Sequence, residues 1–391
     1  MPALINLEII MKIYTDQFLR EKILEISEQS FLRILEQKPE WYECFAIPKK
    51  DGMREICALK DSEAGKTVKK MQKNLLNRFL RRIPIAVSAK GFVREESYQS
   101  FLEPHAGNCY FMRLDIHDFF GSFSPSLIWQ GLQEFVEDAT ALDRLYELCT
   151  WNDVLPQGAV TSPALSNVLF RRVDQRILKY CQTIAERSMN IRRKYDSDET
   201  RQRDNRAVQG KLCYTRYADD MLFSSDFFDF STEKNFIKMI SRILKENGFE
   251  LNRSKTVIGE GQISLNGYMA GATVWLSRNK LRNLKRILYF FNVFKKTDSL
   301  DYEVDRQKVQ DIFKSMAGLN AFLQEAHYNG KRIGSVVDLI NYLAGCRSWL
   351  IAVSRMESVS GRTRRHWENL RRRVERLLLE VNKQEEQWGR M

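Results

Sequence analysis

The sequence predicts an α+β fold, on three observations. Runs rich in β-branched and aromatic residues come in pairs around tight-turn residues, at 45–56 and again at 211–225. Segments with helical spacing lie between these pairs. From 278 to 386 the pattern is mostly helical. The chain has 391 residues, and at roughly 100–200 residues per domain it holds two or three domains or one enzyme with lobes. Hydrophobic residues make up 43%, enough to bury a sizeable core.

Taken in order, residues 7–38 space Ile13, Phe18, Leu19, Ile23, Phe31 and Leu35 as on a helix, and Pro39 ends it. Residues 45–48, 49–52 and 53–56 read as strand, tight turn and strand, with Asp51-Gly52 supplying the turn chemistry. A basic helix follows over 68–82 and a strand over 110–116. A helix begins after Pro125 and runs into the 140s. Residues 155–158 form a loop before a helix with Ser162 at its N-cap and Pro163 in its first turn. The polar stretch 186–211 reads as a solvated insertion. Two short strands flank Asp219-Asp220, a helix spans 232–247 up to Gly248, and short strands fill 249–276.

Charge and cysteine usage exclude several classes. Lys and Arg number 62 against 50 acidic residues, a formal charge of +12, which points to a polyanionic partner such as nucleic acid. No unbroken run of 18 apolar residues occurs, so no membrane span is expected. The first twelve residues make a poor signal peptide. The seven Cys are scattered without a CxxC pair, as expected for reduced, buried thiols of a cytoplasmic protein rather than a disulfide framework or zinc site.

The chemistry concentrates on carboxylates. Tyr217-Ala218-Asp219-Asp220 places two adjacent acids at a hairpin turn between apolar strands. Neighbouring carboxylates repel, burial worsens the repulsion, and a hard divalent cation offsets both charges. Alone, the pair is far better explained by an ordinary Asp-rich surface turn. Asp115, which ends a strand of buried character, is the third acid that favours a shared metal site. Two metals about 3.5–4 Å apart on such carboxylates drive in-line phosphoryl transfer. Asp118 reads as a turn or capping residue, and Ala64-Gly65-Lys66-Thr67 lacks the glycine and leading strand of a phosphate loop.

In these boxes the chain resembles bacterial reverse transcriptases, of the retron type or related defence-associated enzymes. Tyr217-Ala218-Asp219-Asp220 is similar to their YxDD hairpin. Asp115-Ile116-His117-Asp118-Phe119-Phe120 resembles the first catalytic-aspartate motif. Leu155-Pro156-Gln157-Gly158 with Thr161-Ser162-Pro163 and Asn167 resembles the nucleotide and template box. The resemblance covers about residues 40–280 and implies a right-hand polymerase: fingers, a palm whose antiparallel sheet carries the YADD hairpin, and an α-helical thumb. It divides the chain into an N-terminal helical segment (1–39), fingers (40–109), palm (110–275), thumb (276–360) and a basic C-terminal helix (361–391).

The resemblance also assigns roles. It implies two Mg²⁺ ions held by Asp115, Ile116, Asp219 and Asp220. Lys49, Lys50 and Arg54 would hold the triphosphate of the incoming nucleotide. Phe120 would gate against a 2′-hydroxyl, and Gln157 and Gly158 would meet the nucleotide and template. Lys255 would give a proton to the leaving pyrophosphate. Read without the family, the hairpin is a solvated basic turn, Phe120 is core and Lys255 is a surface lysine. The implied reaction is RNA-directed DNA polymerisation from deoxynucleoside triphosphates. The implied partners are a noncoding RNA template and a DNA product, in a retron or anti-phage defence setting, with an effector protein or a second copy of the chain and no membrane. The alternatives are a non-catalytic RNA-binding scaffold, or a template-independent or protein-primed polymerase of the same family.

Two places depart from the retron pattern. Of the Asn-Ala-x-x-His element only His105 remains, and Leu265-Asn266-Gly267 stands where retrons carry Val-Thr-Gly. Toward the C-terminus, Arg278, Lys280, Arg282, Lys285 and Arg286 could line a nucleic-acid duplex, with Tyr289, Phe290 and Phe291 as core. Residues 362–376 hold seven Arg. The seam Trp367, Leu370, Val374, Leu377 and Val381 could pack on the thumb, bind RNA or join another subunit.

Overall fold

The computed structural model describes residues 12–49, 52–195, 210–297, 319–320, 324, 333–356 and 359–388. The chain forms two compact units, one of residues 1–104 and 110–259, the other of 105–109 and 260–391.

The first unit opens with Asp16–Phe18 and a π-helical turn, Leu19–Leu24. The helix expected over 7–38 is broken here, and its first five residues lie outside the described ones. Glu25 takes a left-handed φ of 58° and returns its N–H to the Arg20 carbonyl, which buries Leu19, Ile23 and Leu24 together. Ser27 then caps a new helix, α1 (Glu28–Glu36), accepting from the Ser30 N–H.

Strands β1 (Tyr42–Lys49) and β2 (Gly52–Leu59) pair antiparallel as expected, with Cys44 opposite Cys57. Their Cα atoms lie 4.0 Å apart and the two are joined in a disulfide. This corrects the expectation of reduced thiols throughout. Strand register puts the two cysteines face to face, and a separation of 13 residues carries no motif that announces it. Helix α2 (Glu63–Arg78), capped by Ser62, and α3 (Tyr98–Leu102) follow.

The main sheet runs β4 (Leu212–Tyr217), β5 (Asp220–Ser225), β3 (Tyr110–His117), β6 (Glu250–Leu251), and β7 (Val257–Glu260) also pairs with β3. Two helices, α4 (Pro125–Gln133) and α5 (Ala139–Cys149), replace the single one expected after Pro125. Asp138 caps the second, and Val136 between them bridges to Ile13. Helix α6 (Ser162–Tyr195) runs ten residues into the stretch read as a solvated insertion, of which 196–209 lie outside the described residues. Its first intrahelical bond goes to the Thr161 carbonyl, and the Ser162 hydroxyl makes no capping bond. Helix α7 (Lys234–Lys245) ends before Gly248. Phe119, Phe123, Phe170 and Phe249 form a buried aromatic cluster, with Phe170 and Phe249 ring centres 4.9 Å apart.

In the second unit β8 (Ile263–Leu265), β9 (Tyr268–Ala270) and β10 (Val274–Leu276) make a three-stranded antiparallel sheet. Helices α8 (Arg278–Thr297), α9 (Val336–Ser354) and α10 (Gly361–Trp388) follow. The α10 seam from Trp367 to Val381 is buried, and α9 packs along α10, with Arg347 bonded to Glu375 at 2.9 Å. Of the three roles left open for that seam, packing within its own unit is the observed one. Lys280 sits 4.5 and 4.7 Å from the ring centres of Tyr268 and Trp349, so it is not one of a row of solvated cations. Phe290 and Phe291 are buried as expected, but Tyr289 is 59% exposed. By length and composition α9 could cross a membrane; Asp338 and Arg347 interrupt it, which is why no unbroken apolar run marks it in the sequence.

Candidate active site

Strand register builds the site. Asp115 near the end of β3 stands opposite Asp220 at the start of β5, and both are buried. Asp219 occupies the turn between β4 and β5, where its carbonyl accepts the Ile116 N–H at 3.0 Å. Ala218, just before it, has a left-handed φ of 56°. The turn after β3 brings Asp118 to φ 38°, with its carbonyl accepting from Ser122, in keeping with its reading as a turn residue.

A cleft of about 700 Å³ opens over this point. Asp115, Asp219, Phe120, Gln157 and Lys255 line it, together with Ile116, Glu55 and Phe92. Residues distant in sequence thus meet at one cavity. The short turn Arg253–Lys255 hangs from the Asn252 N–H, bonded to the Asp115 carbonyl at 2.8 Å. It carries the Lys255 ammonium to 3.0 and 2.9 Å from the two Asp115 carboxylate oxygens. Gly158 has a φ of 133°, and a Cβ there would come within 2.6 Å of the Cys57 carbonyl, so β2 and this loop approach at backbone distance. The Cys57 N–H also donates to the Gln157 carbonyl at 3.0 Å. Lys49 and Arg54 are carried on β1 and β2, and Lys50 lies outside the described residues.

The three acids are not equivalent. Asp220 does not line the cleft; the Arg113 guanidinium holds it at 2.9 and 2.6 Å. Sequence reasoning missed Arg113, although its place two residues before Asp115 puts both on one face of β3. Among the described residues, Asp115, Asp219 and Asp220 do not form a group with ligand atoms all within 4.8 Å; Cys44, Glu55 and Cys57 do. The donor set still fits a hard divalent cation. Burial, then the charges of Asp220 and Asp115, push the Asp219 carboxyl above the usual range, a conflict that a bound cation would relieve. Ile116, with an apolar side chain, has only its main-chain carbonyl to offer a metal.

These strands and acids belong to a polymerase palm. The chain is a member of the reverse transcriptase (RNA-dependent DNA polymerase) family, whose profile matches residues 47–284, more than half of its length. Its fold class is the right-hand polymerase. Within that family it is similar to the retron Mx65 reverse transcriptase of Myxococcus xanthus, at 27% identity over 71% of this chain and 61% of the relative. It is also similar to the retron Ec86 reverse transcriptase of Escherichia coli, at 23% identity over 56% of this chain and 58% of the relative. The matches therefore span about three fifths of these relatives. Apo telomerase from Candida tropicalis aligns over 87% of this chain and 62% of its own, with 11% identity and a TM-score of 0.42.

Proposed function

We propose that the chain is an RNA-directed DNA polymerase that extends a primer hydroxyl with deoxynucleotides. The observation that carries this reading is the meeting of Asp115, Asp219, Lys255, Phe120 and Gln157 at one cleft. In this reading the β1–β2 hairpin belongs to the fingers, the main sheet is the palm and the C-terminal helices are the thumb. Asp115 and Asp219, with Asp220 and the Ile116 carbonyl, would hold two Mg²⁺ ions. Such ions activate the attacking hydroxyl and stabilise the leaving pyrophosphate.

The chain's own residues do the rest. Lys255, already at Asp115, is placed to give a proton to the leaving group. Phe120 lines the same cleft, and in this reading its ring would collide with a 2′-hydroxyl. Gln157 and Gly158, tied to β2, orient the nucleotide, while Lys49, Lys50 and Arg54 attract its triphosphate. The formal charge of +12 and the Arg278, Arg282, Lys285, Arg286 and Arg373 cluster around Tyr289 support a nucleic-acid partner.

The template in this proposal is a noncoding RNA, and the setting a retron or related anti-phage system in the cytoplasm. The retron names of the relatives support the retron setting. The test is deoxynucleotide incorporation on a primed RNA template with Mg²⁺, beside Asp219→Asn. Incorporation by the wild type and none by the variant is expected. An inactive wild type that still binds RNA would favour the non-catalytic scaffold, and incorporation without template would favour a template-independent polymerase.

A further inference from the structure

Behind the YADD turn lies an ion pair that no motif announces. Arg216 on β4 and Asp174 on α6 are both 0% exposed. The Arg216 guanidinium grips Asp174 with two arms: Nε lies 2.9 Å from Oδ1, and Nη2 lies 2.7 Å from Oδ2. The Tyr214 hydroxyl donates to the same carboxylate at 2.7 Å. The guanidinium also stacks 4.5 Å from the Phe170 ring centre. One arm remains, and Nη1 donates it to the Ala218 carbonyl at 3.0 Å.

That carbonyl belongs to the peptide unit joining Ala218 to Asp219. The preceding peptide unit, Tyr217–Ala218, is packed on its other side: a Cβ on Gly91 would lie 2.7 Å from the Ala218 nitrogen, so bare backbone packs there. The Gly91 segment is itself fixed to β4, because Arg216 donates its N–H to Ser88 and accepts from Lys90, both at 2.7 Å. Ala218 is held in a left-handed conformation that side-chain-bearing residues seldom adopt. A buried ion pair gains little over a well-packed apolar pair, so stability alone is a weak reason to have one here. A guanidinium supplies what an apolar side chain cannot: a fixed fork with one donor aimed at the turn.

We propose that Asp174 and Arg216 are positioning residues that set the direction of the Asp219 carboxylate through the Ala218–Asp219 peptide. The proposal rests on the polymerase reading for its kinetic effect. Its effect on cation binding does not depend on that reading.

The test uses the full chain and two variants. The double substitution Asp174→Leu with Arg216→Met replaces the pair by apolar side chains of similar size and keeps the interior free of lone charge. Gly91→Ala pushes on the adjoining Tyr217–Ala218 peptide and should displace the Ala218 carbonyl from Arg216 without touching the pair. Mn²⁺ affinity is read by electron paramagnetic resonance, melting temperature by circular dichroism, and incorporation kinetics on a primed RNA. The expected result is weaker Mn²⁺ binding in both variants, and a kcat lower on the order of 100-fold, as for a group misplaced by about 1 Å. KM for the deoxynucleotide should change little. A folded double variant with wild-type kcat and Mn²⁺ affinity would overturn the proposal. If that variant does not fold, a folded Gly91→Ala protein with both values unchanged overturns it equally. A wild type without incorporation would remove the polymerase reading, and the Mn²⁺ titration would still decide the positioning role.

Discussion

Lys255 reaches across 140 residues of sequence to place its ammonium between the two carboxylate oxygens of Asp115, at 3.0 and 2.9 Å. Two roles follow from this contact, orienting the acid and giving a proton. Lys255→Arg separates them, since a guanidinium keeps the charge and can bridge a carboxylate but does not give up its proton. For a proton donor, both Lys255→Ala and Lys255→Arg should slow single-turnover incorporation by about 100-fold or more. A near-normal rate for Lys255→Arg would leave orientation as the only role.

Asp219 should cost the folded chain stability. Its carboxyl is pushed above the ordinary range by burial and by Asp220 and Asp115. The folded state therefore holds the proton more tightly than the unfolded state. The stabilising contribution of the neutral form is complete below the unfolded value and fades as pH rises through the folded one. Asp219→Asn should then melt higher than wild type near neutral pH without divalent ions, and the gap should close toward acid pH. Adding Mg²⁺ should raise the wild-type melting temperature more than the variant's. Equal melting curves across pH would remove the charge conflict.

Phe120→Val removes ring bulk from the cleft wall. Ribonucleotide incorporation should rise by about tenfold or more relative to deoxynucleotide, the discrimination expected of a steric pocket contact. An unchanged ratio in a competition assay would place the sugar gate elsewhere.

The cysteines divide into a bonded pair and five thiols, Cys109, Cys149, Cys181, Cys213 and Cys346. Protein purified without reductant and alkylated in denaturant should take up five labels, and all seven after reduction. Seven labels before reduction would show Cys44 and Cys57 to be thiols in solution.

Trp367, Val374 and Val381 are at most 3% exposed, so α10 completes the core of the second unit. Trp367→Ala should cost about 3–5 kcal/mol of stability, and truncation after Ser360 should lower the melting temperature further. Arg372 and Arg376 lie on the outer side of α10, away from that seam. Replacing both with Ala should leave melting intact while flattening the salt dependence of RNA binding, by about 0.7 in slope for each phosphate no longer neutralised. A large stability loss from the arginine changes would reverse this division of labour.

The local parts of the site were legible because local chemistry specifies them. Asp115 near the end of a strand, the paired acids of a turn, the Pro-Gln-Gly loop and the β1–β2 hairpin each carry their reason within a few residues. The seam on α10 was visible from its spacing, but periodicity says only that a face is apolar and not what covers it. Breaks within helical patterns escaped as well, since the left-handed Glu25 and the bridge at Val136 answer to packing rather than propensity.

By itself the sequence determined most of the strands and helices, their order, and which acids stand near strand ends. Only the tertiary structure decided which side chains meet: Lys255 with Asp115, Arg113 with Asp220, Arg216 with Asp174, Cys44 with Cys57. Each pairing joins different elements, and depends on strand register and on how deeply a helix packs. A side chain's partner is set by these distances after folding, and no spacing along the chain encodes them.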